Sequence, residues 1–415
     1  MNYEFPTINN ISDVLPAIEG RDEFVVAVKE GYTVINYNVM MADTFPDVDE
    51  ENYIATLKEP FRRNYQAKIR RECRGIIFDT ATGDIIRRPF HKFFNVNERE
   101  ETQDHAVDMS SPYAILEKLD GSMIAPFIVN GEMIWGTKMG ATDVAKPVEE
   151  FVKNNPQYDE FRYLIGSGFT PIFEWCSRKQ RIVLDYREDQ LVLTAIRDIK
   201  TGQYASYDRL VSLAKSYGVP VIRQWDNTMV EQWHNTVQRG NKTLSSFVNF
   251  VRDLEDLEGF VVRFDDGHML KLKCHWYLQI HKAKEAILQD RNIVELILDD
   301  KLDDVKAHLP QEDRDRLTVF EGDFNAALHR QIKAIAVIVD TLNKNQISRK
   351  DFALSTMSSN MHSHTRPIVF KNFEGATQEK IDADVRNTIR NNLTKTAKYE
   401  AIRDVWFKGV IYNES

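Results

Sequence analysis

Seven short runs rich in β-branched and aromatic residues, FVVAV, GIIFD, YAILE, RIVLDY, LVLTAI, GFVVRF and MLKLKC, lie between Phe24 and Cys274. After about Lys282 such runs all but stop. This change of texture limits the fold more than any other feature. Helical stretches such as AKPVEEFVKN and YDRLVSLAKSYG fall among the strands, yet several strands follow one another directly. That order predicts an α+β unit with antiparallel sheets, not a doubly wound parallel one. In the tail, Ile293, Leu296 and Ile297 share one helical face, and Ile381, Val385, Ile389 and Leu393 share another. A chain of 415 residues exceeds the usual single domain, so the expectation is an α+β domain over 1–283 and an all-α domain over 284–415.

Composition narrows the setting. A hydrophobic share of 42% supplies real cores, and the 28% of charged residues carry both signs throughout, which is globular and not disordered. The opening MNYEFPTINN has no basic and apolar leader, and no apolar stretch is long enough to cross a bilayer. A cytoplasmic, membrane-free monomer is therefore expected. Cys73, Cys176 and Cys274 are odd in number and far apart, which suits free thiols in a reducing compartment. The net charge of −9 argues against a broad duplex-binding surface but allows a basic cleft inside an acidic envelope.

EKLDGSM, Glu117 to Met123, raises the chemical question, because Lys118 is either a surface charge or a nucleophile. On its own, K-x-D-G reads as a strand ending in a turn, with Asp120 and Gly121 supplying turn geometry. Lys271 and Lys273 alternate with Leu270 and Leu272, so a strand there places both ammonium groups on one face. Such a pair is either a solvated edge or an anion site. If it faces a cleft, it holds phosphate oxygens and depresses the pKa of a nearby lysine, which would activate Lys118. Glu174 in IFEW and Glu258 in LEGFVV stand at strand positions among apolar neighbours, as buried acids, strand-end residues, or ligands of a metal or a ribose hydroxyl.

The order K-x-D-G, F-E, E-G, K-L-K resembles the covalent nucleotidyltransferases, the ATP-dependent ligases and capping enzymes. More closely, the chain resembles the RNA ligase 1 family of T-even-type bacteriophages. The likeness runs from INYN through ECRGIIF, RRPFHKFFNVNE, EKLDGS, GTKMG, FEWCSRKQRIVLDY, TGQYASYD, LEGFVV and KLKCHWY to DDVKAH, and fades over the last hundred residues.

The resemblance implies that Lys118 attacks the α-phosphorus of ATP and carries AMP, with Gly121 letting backbone approach the nucleotide. It implies Glu174 at the nucleoside, Glu258 near the metal or the lysine, and Arg74, Lys138, Lys271 and Lys273 at the phosphates. Tyr37, Lys92, Phe94 and Tyr277 match positions required around ATP or the RNA end, although Tyr37 and Phe94 also read as core aromatics. Asp303 and Asp304 read as an N-cap and a first-turn charge, and the resemblance adds a reach to the nucleotide through Mg2+. Leu119 departs from the acidic residue that also occurs after the family's nucleophile. FEWCSRKQ is unusually basic, and Arg178, Lys179 and Arg181 read as a solvated loop or an RNA contact.

The expected activity joins RNA 5′-phosphate and 3′-hydroxyl ends with ATP and Mg2+. The implied RNA partner is tRNA cut in its anticodon loop, with the helical part helping to choose it. Arg386, Arg390, Lys395 and Lys398 are available for that choice, though a charged helix face is usually only solvated. The alternatives are a DNA ligase or capping enzyme, disfavoured by a helical tail in place of an OB-fold, and an inactive RNA-binding protein.

Overall fold

The computed structural model describes residues 3–41, 43–48, 59–225 and 243–412. The chain divides into two compact units, Met1–Leu278 and Gln279–Ser415.

Three four-stranded sheets build the first unit. One contains β1 (Phe24–Lys29), β2 (Tyr32–Tyr37), β3 (Ile76–Asp79) and β4 (Ile85–Arg87), in that order and antiparallel. The second runs β10 (Gln190–Asp198), β9 (Phe169–Cys176), β7 (Ser122–Val129), β8 (Glu132–Gly136). The third runs β5 (Phe94–Asn95), β12 (Met269–Lys273), β11 (Gly259–Phe264), β6 (Tyr113–Lys118). The short β5–β12 pairing is parallel, and the remaining pairings between these strands are antiparallel. The α+β expectation therefore holds.

Strand β6 ends at Lys118 in the third sheet, and β7 begins at Ser122 in the second. The turn Leu119–Gly121 is thus a joint between two sheets. Alternation along β11 sends Phe260, Val262 and Phe264 into an apolar core with Phe247 and Leu272, leaving Val261 and Arg263 to the opposite face.

One expected strand is not a strand. RIVLDY, Arg181 to Tyr186, forms a loop, because its backbone donors go to a side chain instead of a ladder: Val183 and Leu184 N–H both donate to Asp120 Oδ2, each at 2.7 Å. Val183 still buries, at 3% exposure, while Ile182, Leu184 and Tyr186 are half-buried. Local pattern therefore identified burial but not pairing.

All secondary-structure elements among the second unit's described residues are helices. Its long helix, Gln311–Lys344, buries Leu317, Phe320, Phe324, Leu328, Ile332, Ile335 and Val339 along one stripe. The helix Gln378–Asn392 adds Ile381, Val385 and Ile389 to the same core, and Leu393 follows just beyond its end. No described helix is long and apolar enough to cross a membrane.

Candidate active site

The third sheet supplies the floor of a cleft of about 310 Å3 in the first unit. Its strands stand in register as three rungs: Lys118–Gly259–Lys273, Leu116–Val261–Lys271 and Ala114–Arg263–Met269. Arg74, Lys92, Lys118, Lys271, Lys273, Arg263, Glu174 and Gly121 all line the cleft.

Lys118 Nζ lies 2.7 Å from Glu258 Oε1, and Lys273 Nζ lies 2.9 Å from the same oxygen. Glu258 is 2% exposed, so a buried carboxylate holds two ammonium groups side by side. Gly259 makes this possible. Its φ is +145°, and a Cβ would collide with the Leu272 carbonyl oxygen, so the strands close only around a glycine.

The cation crowding shows at Lys271. Burial, then the nearby Lys92 and Arg74 charges, depresses its pKa to about 7. Lys92 is lowered for the same first reason, with Arg74 and Arg99 adding to it, and its ammonium lies over the rings of Tyr37, Phe45 and Phe94 at 5.1–5.8 Å. Glu174, on β9 opposite the floor, is pushed up to about 7 by burial, with Glu258 adding to the rise and Lys118 opposing it.

The other expected residues lie at different depths around the cleft. Phe94 is 1% exposed, packed in the core below Lys92, which favours its reading as a core aromatic. Tyr37 lines the cleft, while Lys138 is exposed with its ammonium 5.4 Å from the Tyr37 ring. Tyr277 is buried, donates to Asp120 Oδ1 at 2.6 Å and carries Lys273 Nζ over its ring at 5.0 Å. Gly121 is required by the close approach of Trp175 O on β9, a cause independent of any nucleotide.

Asp303 and Asp304 belong to the second unit, in the helix Leu302–Lys306. They occupy its first turn, but the N-cap is Lys301, which corrects the N-cap reading. In the basic loop, Arg178 and Lys179 are exposed, while Arg181 donates to Val183 O at 3.1 Å.

Several residues were missed from sequence. Asp120, read as a turn former, is 3% exposed and ties the nucleophile turn to the RIVLDY loop and Tyr277. Arg87 is fully buried, pushed down to about 9 by burial, and donates to the carbonyls of Gly75, Ala125, Gly136 and Thr137. It thereby fixes the chain beside both Arg74 and Lys138. Glu72 is buried between Arg88 (3.0 Å) and Arg197 (2.7 Å), and this knot anchors the segment leading to Lys92.

Among the described residues, no cluster of three or more His, Cys, Asp or Glu side chains stands ready for a metal. Both lysine contacts to Glu258 fall on Oε1. A cation that keeps several waters and takes phosphate oxygens needs only one or two protein carboxylates, and Glu258 Oε2 fits that demand.

A lysine at the end of a sheet floor, held by a buried glutamate and surrounded by phosphate-sized cationic space, is the arrangement of the covalent nucleotidyltransferases. The family described as RNA ligase matches residues 72–277, from ECRGIIF to KLKCHWY, which takes in every cleft-lining residue except Tyr37. RNA ligase 1 of bacteriophage TS2126 is 26% identical over 293 residues, covering 68% of this chain and 68% of its own length. A protein of Thermovibrio ammonificans, provisionally named an RNA ligase, is 28% identical over 274 residues, covering 63% of this chain and 68% of its own length. Among solved structures, an archaeal ATP-dependent RNA ligase is similar at a TM-score of 0.40 and 15% identity, covering 69% of this chain and 64% of that one. Naegleria gruberi RNA ligase is similar at a TM-score of 0.34 and 17% identity over 41% of this chain, which spans about half of that protein, 52%. Over residues 72–277 the chain matches the RNA ligase family, and a phage RNA ligase 1 is among the proteins it resembles.

Proposed function

We propose that the protein is an ATP-dependent RNA ligase that seals a 5′-phosphate to a 3′-hydroxyl. The observation that carries this reading is the Lys118–Glu258–Lys273 contact on the cleft floor. Lys118, as the neutral amine, attacks the α-phosphorus of ATP, the P–N bond forms, the bond to the bridging oxygen breaks and pyrophosphate departs. Glu258 Oε1, 2.7 Å away, is placed to receive the proton that Lys118 must shed. The AMP then passes from Lys118 to the RNA 5′-phosphate, and the 3′-hydroxyl finally displaces it. Each step transfers a phosphoryl centre, so positioning and neutralisation by Arg74, Lys92, Lys271 and Lys273 dominate. Mg2+ held at Glu258 would supply further neutralisation of phosphate charge. The test is denaturation-resistant label from α-labelled ATP, run beside α-labelled GTP. Label from GTP alone would redirect the reading to capping chemistry.

Lys271 gives the reading a pH signature. Its amine is half neutral near pH 7 in the empty cleft, and a triphosphate favours its ammonium form. ATP binding therefore takes up a proton above pH 7, and affinity falls as pH rises, by up to about tenfold per unit. Titration calorimetry at pH 8 in buffers of different ionisation heats measures this uptake, and Lys271→Arg removes it. Equal uptake in wild type and Lys271→Arg would detach the effect from Lys271.

For the helical unit we propose a part in choosing tRNA. Arg386 pairs with Asp382 and Arg390 with Asp299, leaving the exposed Lys395 and Lys398 as the freer cations of the four considered. Lys395→Glu with Lys398→Glu is expected to weaken sealing of anticodon-cleaved tRNA more than sealing of a short oligonucleotide. Equal sealing of both would count against selection by this face.

A further inference from the structure

Beside the nucleotide cleft lies a second cavity, of about 580 Å3, that the chemistry above does not use. Strand pairing explains its place. β5 is two residues long and covers only Leu270 and Lys271 of β12, so among the described residues Leu272 and Lys273 have no strand partner on that edge. The cavity lies along this edge and is completed by Asn95, Val96, the helix Leu244–Arg252 and the start of the helix His275–Ala286. Val248 and Val251 of the first helix, with Leu272 and Leu278, give it an apolar wall. All of its lining belongs to the first unit.

The charge of this lining is one-sided. Arg252, Lys271, Lys273 and His275 contribute to it and no aspartate or glutamate does, in a chain whose net charge is −9. Arg252 is exposed and, among the described residues, forms no ion pair. Cations beside an apolar wall suit an anion that also carries apolar surface, as a nucleotide does. The volume lies within the range of about 300–1,000 Å3 typical of sites for small molecules. Lys271 and Lys273 line both cavities, so the second adjoins the nucleotide cleft at the residues assigned to the phosphates.

We propose that the second cavity seats the 5′-terminal nucleotide of the RNA, with its phosphate at Lys271 and Lys273 and Arg252 on the strand that follows. This inference rests on the reading of the protein as an RNA ligase, and it adds the place where one RNA end is held. Of the two ends to be joined, only the 5′ end carries a terminal phosphate, so a cationic cavity beside the cleft fits that end better than the 3′-hydroxyl end. In the transfer an oxygen of the 5′-phosphate attacks the α-phosphorus of the lysyl-AMP. The P–O bond forms, the P–N bond breaks, and its electron pair returns to Lys118 Nζ, which takes back a proton from Glu258.

The experiment first labels the full chain with α-labelled ATP, then offers a 5′-phosphorylated oligoribonucleotide over a range of oligonucleotide and salt concentrations. Arg252→Gln is expected to take up label within about twofold of wild type but to need about fivefold more oligonucleotide for half-maximal transfer of AMP. Loss of one phosphate contact on a single strand should also flatten the slope of log affinity against log salt by about 0.7, and Arg252→Lys should restore it. Val248→Trp, which fills the cavity, should raise the oligonucleotide requirement about tenfold without changing the slope. Unchanged transfer in both Arg252→Gln and Val248→Trp overturns the assignment. Label uptake that falls in step with transfer in both also overturns it, because that marks a structural role. So does unchanged transfer with a raised acceptor requirement in the sealing of preadenylylated RNA, which would put the 3′-hydroxyl end in the cavity. Absence of label on wild type overturns the ligase reading itself, and the inference falls with it.

Discussion

Lys118→Ala and Lys118→Arg are both expected to lose covalent AMP and RNA sealing completely, while both proteins remain folded. The pair is informative because the two substitutions remove different things. Alanine removes the amine and the contact to Glu258, leaving Glu258 with Lys273 alone. Arginine keeps a cation beside Glu258, but a guanidinium that stays protonated has no lone pair to offer phosphorus. If Lys118 only balanced the buried carboxylate, arginine would restore function. As a nucleophile it cannot be replaced in this way. Mass spectrometry of protein incubated with ATP, followed by peptide mapping, reads the outcome directly. AMP found on Lys118→Ala would move the nucleophile elsewhere, with Lys273 the first candidate because it shares the same oxygen.

What the sequence disclosed follows from how far each contact reaches along the chain. That Lys271 and Lys273 share one face was legible because strand alternation fixes faces locally, whereas Lys118 and Glu258 were singled out by the resemblance. That Lys118 and Lys273 meet on one carboxylate depends on the pairing of β6, β11 and β12, which no local pattern encodes. Asp120 looked like a turn residue because its neighbour is glycine, yet its carboxylate serves donors 63, 64 and 157 residues away. RIVLDY looked like a strand for the complementary reason, since Val183 buries while the Val183 and Leu184 amides answer to Asp120. Arg263 in GFVVRF lies on the side of β11 opposite Phe260, Val262 and Phe264. Only the register turns that side into a cleft floor. The α+β texture and the helical tail needed no such long-range knowledge, because periodicity alone carries them.

Glu72→Gln tests the deepest of these long-range contacts. Glu72 is fully enclosed, and its carboxylate accepts from Arg88 Nε at 3.0 Å and from Arg197 Nη1 and Nη2 at 2.7 and 2.8 Å. Burial alone would raise its pKa, but the Arg197 and Arg88 charges prevail and hold it down to about 2. The arginines in turn hold the carbonyls of Pro6, Pro89, Lys200 and Gly202, so the knot joins the N-terminal segment, the Lys92 loop and the end of β10. Glutamine preserves the shape and removes the charge, leaving two buried guanidiniums facing a neutral amide. Breaking a buried ion pair on one side costs about 3–5 kcal/mol, so the unfolding transition of the first unit should fall by roughly 6–20 °C at pH 7. The pH dependence identifies the cause. Because the folded carboxyl titrates below its ordinary value, its contribution is complete above about pH 4.5 and fades as pH falls toward 2. The difference between wild type and Glu72→Gln should narrow over the same interval, measured by chemical denaturation at a series of pH values. A difference that stays constant from pH 7 to pH 2.5 would mean that glutamine disturbs packing and that the charge on Glu72 is not what binds the two arginines.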